Sequence, residues 1–122
     1  MKKHVLVISH GSREISANND FKKLVQAYRR KHPNWVIAHA FLEMAEPTIP
    51  QALETLSETT KEIWVLPLFL FSAKHVRKHI PEILKNFSRE NPKVKIKLSK
   101  PLGPEPQLLK ILDQRLQQNS SK

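Results

Sequence analysis

A chain of 122 residues with a formal charge of +10 and no cysteine is long enough to bury about two thirds of the surface its unfolded form exposes, so it needs neither a disulfide nor a structural metal to fold. The charge points to an anionic partner, because a field of one sign concentrates ligands of the other. Lysine and arginine are spread through every segment, without the aromatic and basic cluster that stacks bases, which disfavours nucleic acid and leaves a small polycarboxylate as an equal fit.

No apolar stretch approaches the roughly 20 residues that a membrane-crossing helix needs. The opening apolar run ends in His10-Gly11-Ser12-Arg13 in place of a small-residue cleavage site, so it reads as a first strand and not as a leader. A soluble, cytoplasmic, single domain spanning 1–122 is the expectation, and the missing cysteine fits a reducing compartment.

Four short apolar runs alternate with four longer stretches of helical period, the rhythm of βα units that build a parallel sheet. Strands are expected over 3–9, 35–42, 62–70 and 93–99. The first helix, over about 17–31, places Phe21, Leu24, Val25 and Tyr28 on one face and lysine and arginine on the other, with Pro33 past its end. The second begins near Thr48 as its cap, with Pro50 in the first turn, where a missing N–H costs nothing, and Ile49, Leu53 and Leu56 form its apolar stripe. The third carries Val76, Ile80, Ile83, Leu84 and Phe87 on one side. Pro81 within it reads either as a kink or as the true first turn. The fourth follows Gly103 and Pro104, presents Leu108, Ile111, Leu112 and Leu116, and gives way to a polar tail over 117–122 that is expected to fray. The two glycines, Gly11 and Gly103, each follow a strand. There is no G-x-G-x-x-G or Walker pattern, which disfavours dinucleotide or ATP binding and any other organic cofactor held by a glycine-rich loop.

In an open parallel sheet the carboxyl ends of the strands share one edge, and ligands bind there. His10 follows the first strand, Glu43 follows the second, and His75 comes a few residues after the third, so three metal-competent side chains from three loops should meet at one rim. Two imidazoles and a carboxylate, with no thiolate, suit Co²⁺, Fe²⁺, Ni²⁺ or Zn²⁺ and can leave coordination positions open. As free bases, imidazoles can also accept protons.

His10-Gly11-Ser12-Arg13, Phe41-Leu42-Glu43, Pro47-Thr48-Ile49-Pro50, Pro67-Leu68-Phe69-Leu70 leading to His75-Val76, Ile80-Pro81 and Pro101-Leu102-Gly103, taken in this order over almost the whole chain, resemble the small, single-domain sirohydrochlorin cobaltochelatases. These belong with the sirohydrochlorin ferrochelatases to the class II chelatases. The resemblance implies a (βα)4, chelatase-like doubly wound α/β fold and insertion of a divalent metal into sirohydrochlorin or a similar acidic tetrapyrrole. The metal, Co²⁺ or alternatively Fe²⁺ or Ni²⁺, is then a substrate. It further implies that His10 and His75 are the metal-binding and catalytic histidines, that Glu43 assists them, and that the short form pairs as a homodimer. Members of the family usually have Gly two residues before the second histidine and Asp four residues after it; here Ala73 and His79 stand there.

Each residue also has a plainer reading. His10 could cap a loop, and Glu43 could cap a helix or pair with one of many lysines. Ser12 and Arg13 could bind substrate carboxylates, since a guanidinium matches a carboxylate with two parallel donors, or Ser12 could simply start a helix. Lys74 and Arg77 flank His75 and could attract an acidic macrocycle or form a solvated face. His79 at i+4 from His75 lacks the glutamate of H-E-x-x-H, so it reads as structural, as do His4, His32 and His39. Rival functions are a metallochaperone or tetrapyrrole carrier, a histidine phosphatase (disfavoured because Ser9, not arginine, precedes His10) and a basic nucleic-acid-binding protein.

Overall fold

The computed structural model describes residues 2–71 and 73–120, without the side chains of His75 and Ser120. Four parallel strands, β1 (His4–Ser9), β2 (Val36–Phe41), β3 (Glu62–Pro67) and β4 (Lys95–Leu98), alternate with α1 (Ile15–Lys31), α2 (Ile49–Ser57), α3 (Lys74–Glu90) and α4 (Gln107–Ser120). The strand order is β2-β1-β3-β4. In this order β1 is flanked on both sides, Ser9 pairing with Phe41 of β2 and Ile8 with Pro67 of β3. The expected α/β architecture is present.

The two faces of the sheet carry different cores. On one, Leu6, Ile8, Ile63 and Val65 meet Ile49, Leu53 and Leu56 of α2 and Ile80, Leu84 and Phe87 of α3. On the other, Val5, Val7, Ile37 and Phe41 meet Phe21 and Val25 of α1. Leu24, expected on the buried stripe of α1, is exposed, because that helix covers β1 and β2 through a narrower line of residues.

Helix α2 starts as the sequence suggests. The Thr48 hydroxyl accepts from the Gln51 N–H (3.3 Å), and the Gln51 side chain accepts from the Thr48 N–H (2.8 Å), which satisfies two backbone donors reciprocally.

Three boundaries take their physical reason from the tertiary structure. β3 leaves the ladder after Pro67, because β1 ends at Ser9 and offers only one further bond, from the Leu68 N–H to the Ile8 carbonyl. Helix α3 begins at Lys74 and runs through Pro81, a placement that costs an interior helix about 3 kcal/mol. Burial of Val76, Ile80, Leu84 and Phe87 offsets it, since each such side chain contributes roughly 1.5–3 kcal/mol. Helix α4 extends to Ser120, into the polar tail expected over 117–122, of which 121–122 lie outside the described residues.

The fold also gathers an aromatic and basic cluster that no stretch of sequence displays. His32 stacks on Trp35 at 3.8 Å, Lys3 Nζ lies 4.9 Å from the Trp35 ring and 4.7 Å from that of Trp64, and Lys97 Nζ lies 4.5 Å from Trp64. Internal partners thus lie against both indoles. His4 is a core histidine, with Nδ1 on the Lys2 carbonyl and Nε2 against Thr59 Oγ1. His39 lies on β2 edge-on to Phe21 and Phe41. Burial first, then the charges of Arg29 and Lys22, hold its imidazole below its ordinary range.

Replacing Thr48 with Ala removes the side-chain cap and should lower stability by about 1 kcal/mol, measured as a shifted urea midpoint at unchanged slope. His39 should contribute a pH dependence. A folded-state pKa below the unfolded value means that its contribution is present above about pH 6.5 and is lost as pH falls through the folded value. In His39→Gln the stability profile should flatten across that acidic window, as read from urea midpoints at a series of pH values.

Candidate metal and tetrapyrrole site

The backbone brings His10 and Glu43 together. Beyond the strand ends the β1–β2 ladder continues for two more bonds, from Leu42 N–H to the Ser9 carbonyl (2.9 Å) and from Glu43 N–H to the His10 carbonyl (3.0 Å). The side chains then meet, His10 Nε2 lying 2.6 Å from Glu43 Oε1 with each about half exposed. A neutral or charged imidazole donates to a carboxylate at this distance, and both atoms are of the kind that bind borderline divalent ions. The Phe69 ring, just past β3, stands edge-on to the His10 ring at 6.4 Å.

Gly11 makes this approach possible. Its φ is +95°, and a Cβ built there would overlap the Glu43 carbonyl oxygen. No L side chain fits both constraints. The following turn is fixed by Asn18, whose Oδ1 accepts from the Ser12 N–H (3.0 Å) and whose Nδ2 donates to the Ser12 carbonyl (2.8 Å). The Ser12 hydroxyl accepts from the Glu14 N–H (3.0 Å), so its oxygen serves the turn ahead of α1. Arg13 is exposed beside it.

His75 is the second residue of α3, and its side chain lies outside the described residues. The backbone places that turn after β3, next to the strand that carries His10. Lys74 and Arg77 are exposed on the same turns, as is His79. Ala73 precedes the helix with φ −67° and ψ 157°, an ordinary extended conformation that does not call for glycine. Among the described residues no three metal-competent side chains cluster; His10 and Glu43 stand as a pair.

The sequence reading overlooks the apolar border of this rim. Met44, in the β2–α2 loop, is 55% exposed, and Leu70 and Phe71, after β3, are 47% and 79% exposed. Leu102, after β4, is also exposed, and the Gly103 N–H ties its loop to the Phe69 carbonyl (3.2 Å). The signal was present in Leu68-Phe69-Leu70-Phe71, an apolar run continuing past the point where β1 can pair with it. Exposed apolar residues grouped at one rim mark a binding surface.

The rim therefore combines a histidine–carboxylate pair, apolar walls and exposed cations. The CbiX family model matches residues 4–119. This chain belongs to the CbiX family. It is 32% identical over 108 residues to the sirohydrochlorin cobaltochelatase of Methanococcoides burtonii, covering 81% of this chain and 82% of that protein. It is 30% identical over 117 residues to the sirohydrochlorin ferrochelatase of Bacillus subtilis, covering 95% of this chain and 45% of that one. Its fold superposes with a TM-score of 0.88 on the sirohydrochlorin chelatase SirB from Bacillus subtilis subspecies spizizenii in complex with cobalt, at 28% identity, covering 97% of this chain and 51% of that one. The chain thus spans about half the length of the longer relatives that it matches.

Gly11→Ala should force the His10 and Glu43 loops apart. The expected cost is on the order of 1–3 kcal/mol of stability, with a weakened Co²⁺ interaction by isothermal titration; unchanged Co²⁺ binding would refute the role given to Gly11.

Proposed function

We propose that this chain inserts a divalent metal ion into sirohydrochlorin, with Co²⁺ as the first choice and Fe²⁺ or Ni²⁺ as alternatives, and that it works as a cytoplasmic homodimer. The observation that carries the reading is the contact between His10 Nε2 and Glu43 Oε1 at the carboxyl rim of a CbiX-family fold.

In this reading His10, Glu43 and His75 hold the incoming ion, and the two histidines also receive the pyrrole protons. Metal insertion releases two protons from the macrocycle nitrogens, and each imidazole, on surrendering the ion, regains the lone pair with which it would accept one of them. With nitrogen and oxygen donors only, the site holds the ion without the thiolates that would keep it. Met44, Leu70, Phe71 and Leu102 offer apolar surface to the ring face, while Ser12, Arg13, Lys74 and Arg77 engage the substrate's carboxylates. Positioning of both reactants converts a bimolecular encounter into a local transfer, and the net charge of +10 steers the anionic macrocycle toward the protein.

Anaerobic mixing of protein, sirohydrochlorin and each metal, followed by the absorption change of metallation, tests the reading. His10→Ala and His75→Ala should each slow insertion by about 10²-fold or more, and Glu43→Gln by about 10-fold or more. Parent-like rates in both histidine variants would remove the site assignment. Binding of metal and macrocycle by the parent, without acceleration over the protein-free reaction, would instead favour a carrier.

A further inference from the structure

Strand β4 forms one edge of the sheet, and its two faces differ in kind. Lys95 pairs with Glu62 and Lys97 with Trp64, so both lysines stand on the α1 face, where Lys97 lies over the Trp64 ring. Ile96 and Leu98, on the other face, border an open groove together with Pro81, Leu84, Lys85 and Arg89 of α3. The floor of this groove is apolar, Leu98 is 45% exposed, and the charged groups that line it are cations.

The ladder leaves the outer side of β4 open. The Lys95 N–H donates to the Lys61 carbonyl (2.7 Å) and the Ser99 N–H to the Val65 carbonyl (2.8 Å). Backbone groups alternate in direction along a strand, as side chains do. The odd-numbered residues of β4 therefore serve β3, and the N–H and C=O groups of Ile96 and Leu98 point outward, where the sheet has no further strand. Such an edge is a template for one more strand.

Charge selects the occupant. A second copy of β4 would bring Lys95 and Lys97 against their own kind, which destabilises pairing. Glu62 engages Lys97 (3.6 Å), while Lys95 beside it is exposed. A strand with acidic side chains on the Lys95 side and apolar ones on the groove side complements both faces at once.

We propose that β4 binds an extended segment of a partner protein, in which acidic and apolar residues alternate, by adding it to the edge of the sheet. Its apolar side chains enter the groove beside Ile96 and Leu98, its acidic ones face Lys95, and its backbone bonds to the outward groups of Ile96 and Leu98. A small apolar anion would fill the groove but leave those backbone groups unmet. The groove also leads toward the rim, since Pro81 and Leu98 border a second hollow lined by Phe69, Arg77 and Pro101. A partner held at β4 thus stands next to the rim that carries His10. The surface does not depend on the chelatase activity.

A fluorescent peptide of alternating valine and glutamate, titrated with the full chain and read by polarisation, should bind with a Kd on the order of 10 µM. Replacing its valines with isosteric threonine, at the same charge, should weaken binding about 10-fold or more, as should Lys95→Glu in the protein. In an added strand the amides of alternate residues face β4, so N-methylation of the valines and of the glutamates should act unequally. One set should abolish binding and the other leave it within about 3-fold. No binding of the parent peptide would overturn the proposal. Parent-like affinity of the threonine peptide, or equal effects of the two methylations, would reduce the interaction to attraction by charge and overturn strand addition. Unchanged affinity in Lys95→Glu would overturn the assigned face.

Discussion

The 2.6 Å contact between His10 and Glu43 is the constraint on which the rest of the site depends, and it is a backbone achievement before it is a side-chain one. Two extra ladder bonds hold the carbonyls of Ser9 and His10 against the amides of Leu42 and Glu43. They form only because Gly11 lets the chain turn away at positive φ without a Cβ in the path of Glu43. Once the loops are latched, the imidazole and carboxylate face each other while both stay accessible. In the metal-binding role proposed for them, the two side chains are thereby prearranged, and little side-chain entropy remains to be lost on binding an ion.

Much of this was legible from residue order alone. In a parallel sheet, residues just past the strand ends must share an edge, so His10, Glu43 and the turn bearing His75 could be brought to neighbouring loops without coordinates. Apolar periodicity located the helices, and Thr48 with Pro50 marked the start of α2. Other features depended on pairing partners distant in sequence. The end of β3 is set by the end of β1, so the apolar run Leu68-Phe69-Leu70-Phe71 does not by itself reveal where it leaves the ladder and becomes an exposed border. Helix α3 absorbs Pro81 because of what its other residues bury, which local propensity does not record. The cluster of Lys3, Trp35, Trp64 and Lys97 exists only once all four strands lie side by side.

The two faces of the sheet also divide the work of the molecule. The face under α2 and α3 is closed and supplies the larger core, with Leu6, Ile8, Leu53, Ile63 and Val65 excluded from water almost completely. The α1 face is closed over β1 and β2 alone. The strand carrying His10 is therefore buried on both sides, and the rigidity of the site comes from β1. That face is less complete over β3, where Leu66 and Leu68 are half-buried and Trp64 is flanked by Lys3 and Lys97. Stability of the donor pair and exposure of apolar surface can thus coexist in a short chain, because they fall on different strands.

Pro81 carries a mechanical consequence. Lacking an amide hydrogen, it gives no bond to the Arg77 carbonyl one turn earlier, so the segment 74–80 is joined to the remainder of α3 by one tie fewer than an unbroken helix would have. Leu84 and Phe87 lie in the core on the far side of Pro81, and Val76 and Ile80 are buried on the near side. Side-chain packing, more than the backbone bond that Pro81 lacks, therefore fixes where the first turns of the helix lie against the sheet.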